Sequence, residues 1–410
     1  MNVSSWAIRN PVPSLLLFMV LTFVGIQGFR GLLVQQFPDI ELPVITVSAG
    51  LEGASPSQLE TEVARKIEDA VATLDGIKHI TTTLNDGSAV VAIEFVIEKD
   101  TEIALSEVRN AVDSIRGDLP GSMTDPVIAK ITTAGNPIIT YAVASARMDE
   151  ESLSWFVDNE ISKAMAAVKG VGRTSRIGGV DREIQVNLHP ALMTGLGVTT
   201  ADVSSALGNV QKDASGGRGD VGGGVQSVRT LGAVDTVEAI ANLPIPLPNG
   251  RHVRMDQIAE VADTHAERSM YALWDGKAVV GFQITRVKGA GEVETAERVR
   301  AAVQKLNELY PQVEITEAYN TVFSVQENYQ GSMMLMFEGA ILAILVVLVF
   351  LRDWRSTVVS ATALPLAIIP TFAALHYFGY SLNLLTLLAL ALVVGVLVDD
   401  AIVEVENIVR

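Results

Sequence analysis

The longest uncharged segment of the chain runs from Ser356 to Val398, where 43 consecutive residues include no Asp, Glu, Lys or Arg. A membrane-spanning helix needs about 20 apolar residues, so this segment is too long for one span. It fits two spans joined by a short turn, which we place at His376–Asn383 because its aromatic residues suit a membrane interface. The sequence therefore predicts transmembrane helices over residues 356–376 and 382–405.

An earlier apolar segment lies between Arg9 and Arg30, which are separated by 20 uncharged residues. It predicts a transmembrane helix over residues 11–29, preceded by a short N-terminus, 1–10. The alternative is a cleaved signal peptide. Its apolar region would be shorter and would be followed by a small-residue cleavage site, and the residues after Arg30 do not have that pattern.

Another predicted span covers residues 332–351, with Glu338 as its only acid. The link that follows carries Arg352 and Arg355. Because Lys and Arg are enriched in cytoplasmic loops, this link is predicted to be cytoplasmic. Alternation of the spans then places the N-terminus inside and residues 30–330 outside.

The charge of the chain is concentrated in residues 31–330. This distribution explains how a net charge of −17 coexists with a mean hydropathy of +0.34. Nucleic acids are usually bound through basic patches, so the acidic balance argues against that partner. The chain has no Cys, which excludes disulfides, thiol catalysis and cysteine-ligated metals.

Residues 30–134 predict a ferredoxin-like unit with the order βαββαβ. The helices are expected from amphipathic spacing and the strands from alternation and from the turn signal Asn85-Asp86-Gly87. The predicted strands cover 43–49, 79–84, 89–97 and 127–133, and the helices cover 55–74 and 101–116.

A second unit of the same kind is predicted from two separated halves, residues 135–180 and 276–322. Residues 181–275 then form an insertion. The fold class is therefore a membrane α-helical bundle joined to an α+β region of ferredoxin-like units with an inserted subdomain. In the second unit the predicted strands cover 138–145, 171–177, 278–287 and 313–318, and the helices cover 151–168 and 292–310.

The segment Ser215–Gly224 contains six glycines in ten residues. Such a composition does not support a packed element, and by itself it favours a disordered loop. The alternative is an arm that reaches a partner subunit.

The fourth span ends with Asp399 and Asp400, directly after the uncharged run. A carboxylate inside a membrane marks a functional site by default. Desolvation disfavours ionisation and repulsion disfavours double ionisation, so the pair suits proton uptake and release. The alternative is that the helix leaves the membrane at Val398.

No enzyme active site is evident in the sequence. The chain has no Gly-x-Ser-x-Gly motif and no nucleotide-binding motif, and its five histidines lack metal-ligand spacing. We therefore expect neither enzymatic activity nor a cofactor.

Three stretches resemble resistance–nodulation–division transporters of the hydrophobe/amphiphile efflux type, in their N-terminal portion. They are FPDIELPVITVSAGLEGASPSQLETEVARKIEDAV (37–71), FLRDWRSTVVSATALPLAIIPTFAAL (350–375) and SLNLLTLLALALVVGVLVDDAIVEVENIVR (381–410). The resemblance implies a proton-driven antiporter of the bacterial inner membrane, powered by the proton-motive force. It further implies a homotrimer with a periplasmic adaptor protein, an outer-membrane channel, an amphiphilic substrate and contacts with membrane lipid.

The resemblance also implies roles for particular segments. The units 30–134 and 135–180 with 276–322 would be porter subdomains, and 181–275 a docking subdomain. Asp399 and Asp400 would form the proton relay, with Glu338 as an auxiliary acid. The residues implied to contact a neighbouring protomer in the trimer are Gly216, Gly217, Arg218, Gly219 and Asp220.

Two departures from the family pattern affect these expectations. Family members are more than twice as long, and the lysine expected to pair with the aspartates is missing from the four spans, so the end at Arg410 suggests a truncation. The residues after Gly170-Val-Gly172 include no aromatic side chain, which argues against broad drug specificity. An exporter of lipids, siderophores or metabolites is therefore one alternative, and a membrane-anchored docking module without transport is another.

Overall fold

The computed structural model describes every residue except 1–2, 52, 211–213, 222–223, 231–233, 235, 248–249, 269 and 410. Within helices and strands, only the backbone is described at 3–5, 210, 214–221, 224–230, 351, 398–399, 401–402 and 404–409. The chain begins with a short helix, α1 (Val3–Arg9), and a long apolar helix, α2 (Pro11–Gly31). Pro11 occupies the first turn of α2, where its missing N–H leaves no bond unmade.

The first soluble unit is a four-stranded antiparallel sheet covered by helices. The sheet order is β2-β3-β1-β4. Every second residue of β3 is buried, and Ile93 packs with Ile45, Leu59 and Ile67 in the core between sheet and helices. The elements of this unit are β1 (Glu41–Gly50), α3 (Pro56–Leu59), a π-helical turn (Glu60–Ala64), α4 (Arg65–Val71), β2 (Ile77–Asn85), β3 (Ser88–Phe95), α5 (Thr101–Ser114) and β4 (Val127–Thr132).

The chain then begins a second sheet without completing it. Asp149 caps the helical segment by accepting a hydrogen bond from the Ser152 N–H, as expected for an N-cap aspartate. After the second strand, Gly178 and Gly179 both have positive φ, 69° and 74°, and redirect the chain into the insertion. The elements are β5 (Pro137–Ser145), α6 (Glu150–Phe156), a π-helical turn (Val157–Ile161), α7 (Ser162–Ala166) and β6 (Val171–Ile177).

The insertion has a core of its own, in which Met193, Ile245, Met255 and Ile258 are buried together. Its first and last long strands, β7 and β12, pair antiparallel and so carry the chain out of and back to the second unit. The elements are β7 (Arg182–Leu188), α8 (Pro190–Leu196), α9 (Thr200–Val210), β8 (Ala214–Val221), β9 (Gly224–Thr230), α10 (Val237–Ala241), β10 (Pro244–Pro246), β11 (His252–Arg254) and β12 (Ala259–His265).

The glycine-rich segment differs from the disordered loop that its composition favours. Residues 215–221 of the segment lie in β8 and Gly224 begins β9, and the two strands pair antiparallel, with Arg218 opposite Ser227 and Asp220 opposite Val225. The strands of such a hairpin are joined by hydrogen bonds between their backbones, which glycine can form as well as any other residue. The prediction of a disordered loop failed because a high glycine content limits side-chain packing but does not prevent backbone pairing.

The second sheet is completed after the insertion. Its order is β16-β5-β15-β6 with antiparallel neighbours, which repeats the topology of the first unit. The adjacent central strands β5 and β15 come from opposite sides of the insertion. The remaining elements are a two-residue hairpin of β13 (Leu273–Trp274) and β14 (Lys277–Ala278), then β15 (Val280–Arg286), α11 (Glu292–Leu309) and β16 (Val313–Asn320).

Three apolar helices follow, namely α12 (Val322–Leu351), α13 (Trp354–Tyr377) and α14 (Leu384–Val409). Among the described residues, α2, α12 and α13 are long and apolar enough to cross a membrane, and the corresponding apolar stretch of α14, Leu384–Leu397, is shorter. Helix α12 begins ten residues before the predicted span 332–351. Hydropathy identifies only the apolar part of such a helix. The N-terminal part of α12, beside the soluble units, is more polar.

Helix α2 packs closely on α13 through two glycines. A Cβ atom at Gly25 would lie 2.2 Å from the carbonyl oxygen of Ile369, and one at Gly28 would lie 2.7 Å from the Cα atom of Ala373. Phe29 of α2 contacts Phe372 of α13 edge to face, with ring centroids 4.8 Å apart. Small residues let two membrane helices approach until their backbones touch.

Candidate functional site

Helix α14 carries the two aspartates and packs on the bundle through one face. Leu387, Leu390 and Val394 recur at helical spacing and are buried. Leu387 and Leu390 join Leu32 and Phe372 in a small core between α14, α13 and the end of α2. The opposite face, which includes Leu388 and Leu392, is exposed.

Asp399 and Asp400 lie inside α14 and not at its end. Asp400 is 16 residues after Leu384, about 24 Å along the helix axis, and the helix continues to Val409. The Asp400 side chain is exposed, and no ion pair of Asp400 occurs within the described part of the chain. The side chain of Asp399 lies outside the described residues. The continuous helix means that the pair is carried by α14 as a rigid element.

No hydrogen bond or ion pair links Glu338 to Asp400 among the described residues. It follows the packed Met336 by two positions, which places it on the other side of α12, and its side chain is exposed. An acid on an open helix face can meet a proton or a cation only from outside the present bundle. Among the described side chains, Asp400 and Glu338 thus lie on neighbouring helices without forming a closed cluster.

An apolar groove lies between α2, α12 and α13. It has a volume of about 500 Å³ and its lining is almost entirely apolar. Pro365 contributes to the lining from the middle of α13, where neighbouring helices tolerate the break in backbone hydrogen bonding. A groove of this shape and chemistry can accept an alkyl or aromatic group. Other lining residues are Ile26, Phe29, Met336, Phe337, Ile341 and Leu364.

A second apolar surface lies at the end of the insertion, beside the second soluble unit, and was not predicted from the sequence. Met270, Tyr271 and Leu273 are more than half exposed, and Trp274 is 37% exposed. Their segment rests on the end of β6, because a Cβ atom at Gly178 would lie 2.8 Å from Ala272. The uncharged run MYALW is the sequence signal that could have found it. Aromatic side chains are therefore present beside the Gly170-Val-Gly172 strand, although they come from another part of the chain.

Arg176 supplies no free charge to that surface. Its guanidinium binds Asp158 at 2.9 Å, Asp181 and the carbonyl of Gly178 at 2.7 Å. Because the charge of Arg176 is paired, what the end of β6 offers to a ligand is the exposed aromatic segment. No group of three or more His, Asp or Glu residues suited to a metal ion occurs in the described part of the chain.

Comparisons with known proteins cover nearly the whole chain. The model of the AcrB/AcrD/AcrF family matches residues 3–410. Multidrug resistance protein MdtC of Pectobacterium atrosepticum is 30% identical over 405 residues, and MdtC of Pantoea ananatis is 31% identical over 408 residues. MdtC of Escherichia coli is 30% identical over 405 residues. Each alignment covers 98% of this chain and 40% of the relative, so the chain spans about two fifths of their length.

Proposed function

The chain belongs to the AcrB/AcrD/AcrF family of resistance–nodulation–division transporters, and we propose that it forms part of a proton-driven exporter of amphiphilic compounds in the bacterial inner membrane. The observation that carries this proposal is the pair Asp399–Asp400 inside helix α14, directly after the uncharged stretch of that helix. A carboxylate within a membrane is costly, and such residues typically mark an ion or proton pathway.

The proton step follows from the position of the pair. Ionised carboxylates attract a cation on a facing helix, and protonation removes that attraction. One charge that falls through 100 mV releases about 2.3 kcal/mol, enough to bias a helix displacement. The open face of α14, where Asp400 is exposed, suits a facing helix from the remainder of the protein.

The soluble units are proposed to handle the substrate. We assign 30–134 and 135–180 with 276–322 as porter subdomains, and 181–275 as the docking subdomain.

The apolar groove beside α2 and the exposed segment Met270–Trp274 suit the apolar part of an amphiphile. They support amphiphilic cargo, lipids included, over a strongly polar metabolite.

Assembly is proposed to be a homotrimer that works with a periplasmic adaptor protein and an outer-membrane channel. The hairpin β8–β9, with Gly216, Gly217, Arg218, Gly219 and Asp220, is the proposed arm to the neighbouring protomer. A two-stranded hairpin is only marginally stable alone in water, so contact with a neighbouring protomer would supply the packing that it lacks.

The proposal is tested in cells that depend on the complete gene product for resistance to an amphiphilic dye. Asp400→Asn keeps the size of the side chain but removes its titration, so dye efflux should fall to the background of a deletion strain while the trimer still assembles. Glu406→Gln, six residues along the same helix, is the matched control and should retain efflux. Normal efflux by Asp400→Asn would show the proton step to be wrong.

A further inference from the structure

The segment Leu32–Ile40, here called the strap, connects the end of α2 to β1. It lies between the loop that joins α13 to α14 and the second soluble unit. Leu32 and Gln35 are buried, so this part of the strap is enclosed by its neighbours and does not lie on the surface.

On the membrane side, the strap is bonded to the start of α14. The Leu382 N–H donates to the Leu33 carbonyl at 2.8 Å, and the Gln35 N–H donates to the Leu382 carbonyl at 3.1 Å. The Gln35 side chain donates to the Ser381 hydroxyl at 2.7 Å. Next in the chain, buried Asn383 caps α14 by accepting hydrogen bonds from the backbone N–H groups of Leu385 and Thr386. A movement of α14 along its axis therefore acts directly on the strap.

On the other side, the intervening strap residues Val34 and Gln36 are bonded to the start of α11. The Glu292 N–H donates to the Val34 carbonyl at 3.0 Å, and the Glu292 carboxylate accepts from the Gln36 N–H at 3.2 Å. Arg286, at the end of β15, is almost fully buried and lies 2.6 Å from the carboxylate of Asp39 and 3.4 Å from that of Glu292. The strap is thus fixed to both ends of the β15–α11 connection.

These two sets of bonds meet within residues 33–36. Val34 forms a parallel bridge with Leu382 and accepts the Glu292 N–H with its carbonyl. Buried hydrogen bonds are costly to leave unmade, so small shifts are passed on rather than absorbed. A two-sided contact of this length offers a direct route from α14 to the second unit.

We propose that the strap transmits the displacement of α14 to the second soluble unit, with Gln35 and Glu292 as positioning residues on its two sides. The inference rests on the proposed function, since the displacement starts at the aspartates of α14. Helix α12 also joins the membrane to the second unit by chain continuity, at β16. The strap differs because it leads from α14 itself to α11 and the end of β15.

The test measures hydrogen exchange of the complete gene product in lipid nanodiscs. In a protein whose strap is unaltered, Asp400→Asn should change exchange at the start of α14. It should also change exchange in the first turn of α11, by about fivefold or more. In a Gln35→Ala background the response at α11 should disappear while the response at α14 remains. Gln36→Ala is the matched control, because Gln36 bonds to Glu292 and Leu384 through its backbone, and it should keep both responses.

Glu292 gives an independent variant if Gln35→Ala does not fold. Glu292→Gln keeps an acceptor for the Gln36 N–H and should preserve the α11 response, whereas Glu292→Ala should remove it. A purely structural role would affect folding without this rescue pattern. An α11 response that persists in Gln35→Ala, or that is absent from the unaltered strap although α14 responds, would overturn the proposal. No response at α14 itself would contradict the proposed function and would overturn the strap proposal with it.

Discussion

The side-chain amide of Gln35 donates a hydrogen bond to the hydroxyl of Ser381 across 2.7 Å and joins two segments that are 346 residues apart. Ser381→Ala would leave the buried Gln35 amide without this acceptor, and Asn383 Nδ2 would lose its 2.9 Å bond to the same hydroxyl. We expect a loss of about 1–3 kcal/mol, seen as faster hydrogen exchange in the first turn of α14. Ser360→Ala is the control, because the buried Ser360 hydroxyl has no hydrogen-bond partner among the described residues. Equal exchange in the two variants would contradict the assigned bond.

The contact between α2 and α13 should depend on Gly28. In Gly28→Ala the new methyl group would meet the backbone of Ala373 at 2.7 Å, and such overpacking costs about 1–3 kcal/mol. The melting temperature in detergent should therefore fall. In Gly331→Ala, on α12, the new methyl group would meet no described atom within 4 Å beyond its own helix backbone and chain neighbours. This variant should be neutral or slightly stabilising, because alanine is the better helix former. A Gly28→Ala protein as stable as the Gly331→Ala protein would refute this packing.

The buried charge of Arg286 should be essential for stability. Arg286→Ala would leave Asp39 and Glu292 without their shared cation. Removing one partner of a buried pair costs about 3–5 kcal/mol, which denaturant unfolding in detergent can measure. Arg298→Ala breaks an exposed pair with Glu294 on α11 and an exposed hydrogen bond to the Lys169 carbonyl, and it should cost only about 1 kcal/mol. Similar losses in the free energy of unfolding of the two variants would show that the buried ion pairs of Arg286 do not stabilise the fold.

Glu41 should make the contact between the two soluble units sensitive to acid. Hydrogen bonds from Lys288 and Lys130 lower the pKa of the Glu41 carboxyl below its ordinary value of 4.5, and they come from the second and first units respectively. A lowered pKa means that the stabilisation is present above pH 4.5 and is lost as the pH falls through the lower folded value. Stability of Glu41→Gln should therefore depend less on pH below 4.5 than stability of the unaltered protein. Parallel pH profiles of unfolding would contradict this assignment.

Local patterns predicted the elements better than their contacts. The strands around Ile45 and Ile93 and the helix that begins after Ser55 lie where alternation and capping place them. The contacts of Gln35 with Ser381 and of Gly178 with Ala272 could not be predicted in this way. Periodicity identifies which face of an element is apolar, but it does not identify the distant segment that covers that face.

The aspartates show the same limit at the candidate site. Their chemistry follows from residue type and from the uncharged run before them. The face of α14 on which Asp400 lies depends on how Leu387, Leu390 and Val394 pack, and that packing required the structure.

The central claim is that a proton bound at Asp399–Asp400 drives export. It is tested most directly with the complete gene product in liposomes, by recording lumenal pH and amphiphilic dye transport together after an imposed pH gradient. We expect the unaltered protein and Glu406→Gln to exchange protons for dye, whereas Asp400→Asn should move neither protons nor dye. Dye export by Asp400→Asn with an unchanged proton flux would contradict it.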